Sequence, residues 1–214
     1  GAGLHKRGYR AIGNDAPLRE TLAAARVELA RYRGHDVFLD PFCGSGTICI
    51  EAALTALNRA PGMSRNFAAQ KWACVPQTLW QQARAEALDR EFHGEYHIYG
   101  SDTDPKSLAI AASNAKKAGV SRLITFEQAD ATMRPLPTDR GVIVTNPPYG
   151  QRMLEQRAAQ QLYRKLGQHL RGTDSWHKYI ISSEPEFEHY YGQRAAKRRK
   201  LYNGMIKCDL YMYL

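Results

Sequence analysis

The sequence predicts an α/β fold with a doubly wound, mostly parallel sheet of seven strands that includes one antiparallel C-terminal strand. Short apolar runs typical of buried strands alternate with segments whose apolar residues recur at helical spacing, and this alternation indicates parallel strands joined by right-handed crossovers. Near the end, the pair Asn203-Gly204 between two β-like segments predicts a hairpin on a type I′ turn, which reverses one strand. No internal repeat or low-complexity linker interrupts the pattern, so we expect a single domain over residues 1–214.

Each element follows from its periodicity and its end signals. The predicted strands are 36–40, 97–101, 124–128, 141–145, 179–182, 199–202 and 205–213. The predicted helices are 17–31, 47–58, 77–92, 105–118, 155–170 and 186–191. Asn14 or Asp15 is the candidate N-cap of the first helix, and Asp104 is the candidate N-cap of the fourth. Residues 59–76 break the periodicity and predict an insertion or a cap over a site.

Composition restricts the class of protein before any motif is considered. The 214 residues carry 30 Lys and Arg against 21 Asp and Glu, and this formal net charge of +9 favours a polyanionic partner such as nucleic acid. The sequence lacks both an apolar run of the roughly 18 residues that a membrane span needs and the apolar core of a signal peptide, so a cytoplasmic protein is expected. The four cysteines form no CxxC pair, which argues against a zinc ribbon or a disulfide scaffold. No feature predicts an oligomeric state.

A glycine-containing loop, residues 40–47 (DPFCGSGT), follows the first predicted strand. Glycine tolerates positive φ and lets a ligand approach the backbone, and the helix that follows offers free N–H groups. The loop lacks the Lys of a phosphate-binding P-loop and the GxGxxG spacing, and Asp40 disfavours a phosphate but suits a cationic ligand. Taken alone, the loop is equally well explained as an ordinary turn.

Two further carboxylates follow the next predicted strands. Asp102 in GSDTDP ends one strand, and Asp130 in QADA ends the next. Because open α/β sheets bind ligands at the carboxyl ends of their strands, Asp102 can accept hydrogen bonds from both hydroxyls of a ribose. Asp130 could accept from the exocyclic amine of an adenine. The competing interpretation is that these residues cap helices or turns, as we expect for Asp104.

The segment 146–150 (NPPYG) after the most β-like run is the most specific signal in the chain. Neither proline has an N–H, so the rim offers only acceptors, namely the Asn146 side-chain oxygen and the Pro147 carbonyl. Two converging acceptors suit an NH₂ donor, and holding both hydrogens of a conjugated amine favours a pyramidal nitrogen with an available lone pair. Tyr149 offers a flat face for a flipped base. The competing interpretation is a proline-rich turn with a buried tyrosine.

The motif order DPFCGSGT, GSDTDP, QADA and NPPYG resembles that of class I (Rossmann-like) methyltransferases, which transfer a methyl group from S-adenosylmethionine to exocyclic amines. More narrowly, GAGLHKRGYR, APLRETLAAA and RKLYNG are similar to segments of the THUMP-associated RNA methylases, whose best-known bacterial members methylate guanine N2 in 23S ribosomal RNA. The resemblance spans essentially the whole chain. It implies S-adenosylmethionine as methyl donor, S-adenosylhomocysteine as product, no metal, and RNA, in particular ribosomal RNA, as partner. The THUMP RNA-binding region that the family places before this domain is expected to be missing here.

The resemblance also implies roles for individual residues. The implied cofactor-binding residues, ordered from the methionine end to the adenine, are Asp40, Gly44, Gly46, Asp102, Thr103, Asp130 and Ala131. Asn146 and Pro147 would hold the target amine, and Tyr149 would stack on the base. Methyl transfer would be a direct in-line displacement without a covalent enzyme intermediate, so Cys43 is predicted to be a packing residue and not a nucleophile.

Basic side chains cluster at both ends of the chain, and we expect Arg7, Arg10, Lys197 and Arg198 to contact RNA phosphates. The alternative is two solvated basic faces. Three other functions remain open: methylation of adenine N6 in DNA, methylation of a protein glutamine amide, and binding without catalysis. The LHKRGYR and LYNG segments favour the RNA family over the DNA enzyme. Methylation of a glutamine would not need the basic ends, and the intact Asn146, Pro147 and Tyr149 argue against binding without catalysis.

Overall fold

The computed structural model describes residue 3 and residues 5–10, 18–150 and 153–214. The strands are β1 (Phe38–Asp40), β2 (Ile98–Asp102), β3 (Ile124–Gln128), β4 (Gly141–Thr145), β5 (Trp176–Ser182), β6 (Lys197–Asn203) and β7 (Ile206–Tyr213). Within the described ranges these seven strands form one sheet in the order β3-β2-β1-β4-β5-β7-β6. β7 is antiparallel to both of its neighbours, and the other strands share one direction. The predicted fold class is therefore confirmed.

Helices cover both faces of this sheet. They are α1 (Glu20–Leu29), α2 (Thr47–Ala56), α3 (Gln77–Asp89), α4 (Pro105–Lys117), α5 (Met153–His169) and α6 (Phe187–Tyr191). Buried residues of α1, α2 and α4 form one core with the sheet, and those of α5 and α6 form another on the opposite face. α3 buries none of its residues and lies outside both cores. None of the helices in the described part of the chain is long and apolar enough to cross a membrane.

The central strands are buried on both faces, as a parallel strand between two helical layers should be. All five residues of β4 are buried. The start of α4 confirms the predicted cap, because the Asp104 carboxylate accepts hydrogen bonds from the N–H groups of Lys106 and Ser107 at 3.0 and 3.1 Å. The candidate caps Asn14 and Asp15 of the first helix lie outside the described residues.

The C-terminal hairpin corrects one prediction. Asn203 pairs with Ile206, so the loop residues are Gly204 and Met205, and of these Gly204 has a positive φ of 63° while Met205 does not. A positive φ at the first loop position alone is the pattern of a type II′ turn, so the predicted type I′ turn on Asn203-Gly204 is wrong.

The physical reason for this register lies further along the two strands. A loop at Asn203-Gly204 would place Lys200 opposite Lys207, and like charges on directly opposed residues destabilise a sheet. The observed register instead pairs Lys200 with Asp209. Opposite charges therefore face each other along the hairpin, and Met205 is left at its tip.

Candidate active site

The candidate site lies at the carboxyl ends of β1 and β4, the two strands between which the strand order reverses. Such a reversal opens a crevice in which α/β proteins bind ligands. Asp40 ends β1, Thr145 ends β4, and the Thr145 hydroxyl donates to Asp40 Oδ1 at 2.7 Å. The two loops predicted to carry the chemistry therefore begin side by side. Sequence reasoning did not identify Thr145, although a polar residue at the end of an apolar strand could have indicated it.

Asp40 is a buried carboxylate with one unused oxygen. The residue is 1% exposed, and its Oδ1 accepts from Thr145 and from the Phe42 N–H, whereas Oδ2 is buried without a hydrogen-bond partner in the described residues. Desolvation raises the pKa of Asp40 to about 7, against the opposing effect of those two hydrogen bonds. Because an unpaired buried polar atom is costly, this oxygen fits a ligand that brings a cation or an N–H donor.

The two glycines Gly44 and Gly46 of the first loop are needed for different structural reasons. Gly44 has φ +50°, and no described atom would lie within 4 Å of a Cβ added there, so the space in front of it is open to a ligand. Gly46 has φ +80°, and an added Cβ would meet the Ala111 Cβ of α4 at 2.9 Å, so close helix packing requires this glycine. The buried Asn114 of α4 also holds the loop, because its Nδ2 donates to the Ser45 carbonyl at 3.1 Å. Asn114 was another residue that sequence reasoning did not identify.

Asp102 joins the loops that follow β1 and β2. Its Oδ2 accepts from the Gly44 N–H at 2.9 Å, and its Oδ1 accepts from the Asp104 N–H at 3.0 Å. The Ala129 N–H donates to the Asp102 carbonyl at 3.1 Å, which adds the loop after β3. The exposed Thr103 follows directly. The structure thus brings Gly44, Asp102 and Thr103 together at one edge.

Asp130 and Ala131 lie at the next position along the same edge, after β3. Ala131 is buried, while Asp130 is exposed and its Oδ1 accepts from the Thr132 N–H and hydroxyl at 2.8 and 2.7 Å. These hydrogen bonds, the backbone one first, lower the pKa of Asp130. The carboxylate therefore caps its own turn, and its contact with an adenine stays a prediction.

The NPPYG loop carries its own internal hydrogen bonds. The Tyr149 hydroxyl donates to Asn146 Oδ1, the acceptor predicted to hold the target amine. Pro147 is buried, and the Pro148 carbonyl accepts from the Tyr163 hydroxyl at 2.8 Å. The Tyr149 ring is partly buried against the core on the α1 side, and its stacking on a base stays a prediction.

A buried cation lies behind this loop. Arg26 of α1 is 0% exposed, and none of its three guanidinium nitrogens has a hydrogen-bond partner of good geometry among the described residues. Desolvation lowers the pKa of Arg26, and its charge in turn acts to lower the pKa values of Asp40 and Tyr149. Sequence reasoning did not identify Arg26. The signal that could have indicated it was an arginine at a position that the helical spacing assigns to the buried face of α1.

The side chains predicted to contact RNA have partners within the protein. Arg7 forms an ion pair with Glu51 at 3.3 Å, and Arg10 donates to the Thr47 hydroxyl at 2.7 Å, so both brace the start of the chain against α2. Arg198 pairs with Asp209 at 2.9 Å and with Glu188 at 3.4 Å, whereas Lys197 is exposed. Phosphate contacts by these residues stay a prediction and, for the three arginines, would compete with the internal partners.

This fold and this edge define the class of protein. The reversal between β1 and β4, the glycine loop, the carboxylates after the first strands and the Asn-Pro-Pro-Tyr loop after β4 are the arrangement of class I methyltransferases. No group of three His, Cys, Asp or Glu side chains that could hold a metal ion occurs in the part of the chain that the structure describes.

The comparisons with known proteins agree with that class. The chain belongs to the UPF0020 family, described as RMKL-like, methyltransferase domain, whose family model matches residues 7–212. It is 45% identical to "Putative RNA methyltransferase YpsC" of Bacillus subtilis (strain 168) over 214 residues, which are 100% of this chain and 56% of that protein.

Two solved structures are similar over nearly the whole chain. A "predicted N6-adenine-specific DNA methylase" from Listeria monocytogenes str. 4b F2365 is 44% identical with a TM-score of 0.94, and the match covers 100% of this chain and 56% of that one. SMU.472, described as "a putative methyltransferase complexed with SAH", is 37% identical with a TM-score of 0.92, and the match covers 98% of this chain and 55% of that one. The chain thus spans about half the length of these relatives.

Proposed function

We propose that this domain transfers a methyl group from S-adenosylmethionine to an exocyclic amine of a nucleobase in RNA, and specifically to guanine N2 in 23S ribosomal RNA. One observation carries the proposal. Asp40 is hydrogen-bonded to Thr145, the residue directly before Asn146, so the acceptor pair of Asn146 and Pro147 follows a residue that contacts Asp40. A site for a cationic donor and a site for an NH₂ group are therefore adjacent. The RNA methyltransferase named among the relatives and the SAH-bound relative support this reading.

The residues present fit S-adenosylmethionine. Its methionine end carries a cationic ammonium group, which suits the buried, unpaired Oδ2 of Asp40. The open space at Gly44 leaves room for the ligand, and Asp102 would accept from the ribose hydroxyls. Thr103, Asp130 and Ala131 would then contact the adenine. When bound, the cofactor supplies a methyl group activated by its attachment to a sulfonium.

The residues of the chain orient the amine. Asn146 Oδ1 and the Pro147 carbonyl each accept one hydrogen of the target NH₂, which directs the nitrogen lone pair towards the methyl carbon. The cofactor would supply the methyl carbon to this nitrogen as its sulfur–carbon bond breaks, and the methylated nitrogen would lose one proton to solvent. Cys43 is 6% exposed and burial raises its pKa, so its thiol remains protonated and serves as a packing group.

The wider context is part of the same proposal. The net charge of +9 suits an RNA partner, and a ribosomal RNA substrate would put the activity in the cytoplasm. We propose that residues 1–214 form the methyltransferase domain of a longer protein whose THUMP region contributes RNA binding.

The test is transfer of labelled methyl groups to ribosomal RNA isolated from cells that lack the gene, followed by nucleoside analysis. We expect labelled N2-methylguanosine. Labelled N6-methyladenosine in the RNA would overturn guanine N2 as the target, and labelled N6-methyladenine in DNA with no transfer to RNA would favour the DNA activity named for the Listeria relative.

A pair of variants separates the proposed chemistry from general effects. Asn146→Ala removes one of the two acceptors and should lower kcat by about 100-fold or more, the usual cost of one positioned hydrogen-bonding group, while cofactor binding is retained. Gln168→Ala removes an exposed amide near the end of α5, at the opposite edge of the sheet, and should change neither.

A further inference from the structure

The tip of the C-terminal hairpin projects beyond the edge of the sheet that carries the site. β6 runs in the same direction as β5, so Asn203 lies at the edge where β1 and β4 end. Ser182, the last residue of β5, pairs with Asp209, and the ladder between β6 and β7 continues for three more pairs. At about 3.3 Å per residue, the tip extends about 10 Å past the end of β5.

This projecting tip adjoins the NPPYG loop. Asn203 and Cys208 are close enough to Tyr149 to influence the pKa of its hydroxyl, although burial is the main reason that this pKa is raised. Tyr149, Leu201 and Ile206 pack against one core. The hairpin therefore lies beside the loop that is proposed to hold the target base.

The tip presents two large side chains to solvent. Tyr202 is 65% exposed and Met205 is 98% exposed, whereas Cys208 and Leu210 further along β7 are buried. Packing in the core therefore explains why the lower part of the hairpin carries apolar residues, but it does not explain the large side chains at the tip. Large apolar groups exposed beside a site indicate a binding surface.

A cavity of about 510 Å³ separates this tip from the start of α1. The residues that line it are Arg19, Thr21, Leu22, Tyr202, Gly204 and Met205. Among the described residues that line it, Arg19 is the one cation and there is no carboxylate, and Lys207 pairs with Tyr202 across the hairpin. We call this cavity the hairpin cleft.

We propose that the hairpin cleft binds an unpaired nucleotide that flanks the target nucleotide in the RNA, with Tyr202 and Met205 against its base and Arg19 at its phosphate. This inference rests on the proposed function. Proteins recognise single-stranded RNA by stacking bases on exposed aromatic rings and by placing cations at the backbone, and these are the groups that the cleft offers.

The location of the cleft supports this occupant. A base that enters the site must leave its stack, which unstacks its neighbours as well. The hairpin tip that lines the cleft includes Gly204, whose neighbour Asn203 lies near Tyr149, whereas Lys197 begins β6 about 20 Å before its site end, at about 3.3 Å per residue. The RKLYNG segment, residues 199–204, thus contributes a projecting tip beside the target, and Lys197 lies further away.

Steady-state kinetics with a single-stranded RNA that contains the target nucleotide test the proposal. Tyr202→Ala should raise the KM for this RNA about tenfold, within the range measured for the loss of one base–aromatic stack, with kcat and cofactor affinity unchanged. Arg19→Ala should raise KM and reduce the salt dependence of binding by about one phosphate contact. Phe92→Ala is the matched aromatic control. Phe92 is also exposed, at 57%, and its N–H donates to the carbonyl of Leu57, which places it beyond the end of α2 that is far from the site.

A double-mutant cycle identifies the occupant directly. Replacing the flanking nucleotide of the RNA with an abasic ribose should weaken binding as much as Tyr202→Ala, and the two changes together should cost no more than one of them. A KM unchanged in Tyr202→Ala and Met205→Ala, or fully additive losses in the cycle, would overturn the proposal. If the wild-type domain transfers no methyl group to RNA, that result contradicts the proposed function and not the cleft. Direct binding of the same RNA, measured by fluorescence anisotropy, then makes the same comparison of variants.

Discussion

The two halves of the site edge are built differently. In the half formed by the loops after β1, β2 and β3, the carboxylates of Asp40 and Asp102 accept hydrogen bonds from backbone N–H groups and from Thr145. In the half formed by the loop after β4 and the hairpin, Asn146 is bonded to Tyr149 of its own loop, and Met205 projects into solvent.

The difference shows how each half would meet its ligand. The first half is held in place by bonds that a cofactor need not break, so its binding geometry is preorganised and costs little ordering. The second half must exchange an internal hydrogen bond for one to the substrate, and its exposed tip gains contacts only when a substrate arrives. Variants in the first half should therefore change cofactor affinity, and variants in the second half should change substrate affinity.

The largest effect on this comparison should come from Asp102→Ala. The change removes the acceptor of the Gly44 and Asp104 N–H groups and the proposed partner of the ribose hydroxyls. We expect a loss of about 100-fold in S-adenosylmethionine affinity, since charge-assisted hydrogen bonds contribute about 1.5–3 kcal/mol each. The measurement is the rise in Tm with cofactor concentration, which Asp102→Ala should abolish at concentrations that shift the wild type.

Asp104→Ala is the matched control for that variant. It removes a neighbouring aspartate whose carboxylate caps α4. Loss of this cap should lower Tm. Its cofactor-induced shift should stay as large as that of the wild type. An equal loss in both variants would mean that the first half depends on helix stability and not on a ribose contact.

The pH dependence of cofactor affinity should be the next largest effect. Burial raises the pKa of Asp40 to about 7, so the ligand-free carboxyl becomes neutral as the pH falls below 7. A neutral group attracts the cationic methionine end less, and calorimetric titration should show affinity falling by up to about tenfold per pH unit from pH 7 downwards. Asp40→Asn should bind weakly with a flat profile, and a wild-type profile flat to pH 5 would contradict the assignment.

The same group gives a stability change of opposite sign in the ligand-free protein. Because its pKa in the folded state lies above the ordinary 3.8, the folded protein binds this proton more tightly than the unfolded chain does. The contribution of Asp40 to the free energy of unfolding is therefore fully present below pH 4 and is lost as the pH rises through 7. Comparison of wild type with Asp40→Asn by thermal unfolding isolates that contribution.

The features that could be predicted from the sequence are those that local chemistry determines. The apolar run of β4 and the cap at Asp104 were predicted at their observed positions, because burial on both faces and capping each leave a pattern within a few residues. β5 was predicted too short, since its first residues include the buried Lys178, whose Nζ donates to the Thr173 carbonyl at 2.7 Å. A lysine in a strand gives no apolar pattern, although a backbone carbonyl satisfies it.

The features that could not be predicted depend on residues far apart in the sequence. The Thr145–Asp40 bond joins residues 105 positions apart, and the Asn114–Ser45 bond joins residues 69 positions apart. Their partners are determined only when the sheet order brings the strand ends together. The loops that carry the motifs are therefore evident from the sequence, whereas the bonds that hold them in register are not.

Arg26→Met tests whether the buried cation links the two halves. Met fills similar space without an unsatisfied charge, so we expect the free energy of unfolding to rise by about 1–2 kcal/mol and Tm by about 2–8 °C. The charge of Arg26 acts to lower the pKa of Asp40, so its removal should also move the midpoint of the cofactor pH profile upwards. Arg122→Met, at an exposed arginine before β3, should change neither quantity. A lower Tm in Arg26→Met would show that the guanidinium has a stabilising role.

The smallest effect should come from Tyr149→Phe, and it isolates the second half. The change keeps the ring but removes the hydroxyl that donates to Asn146 Oδ1, so a substrate amine no longer has to displace it. A hydrogen bond contributes about 1 kcal/mol net, so we expect the KM for RNA to fall by up to about fivefold, with kcat and cofactor affinity unchanged. A fall in kcat with KM unchanged would mean instead that the hydroxyl holds the Asn146 amide in its reactive orientation, and the second half would then be as preorganised as the first.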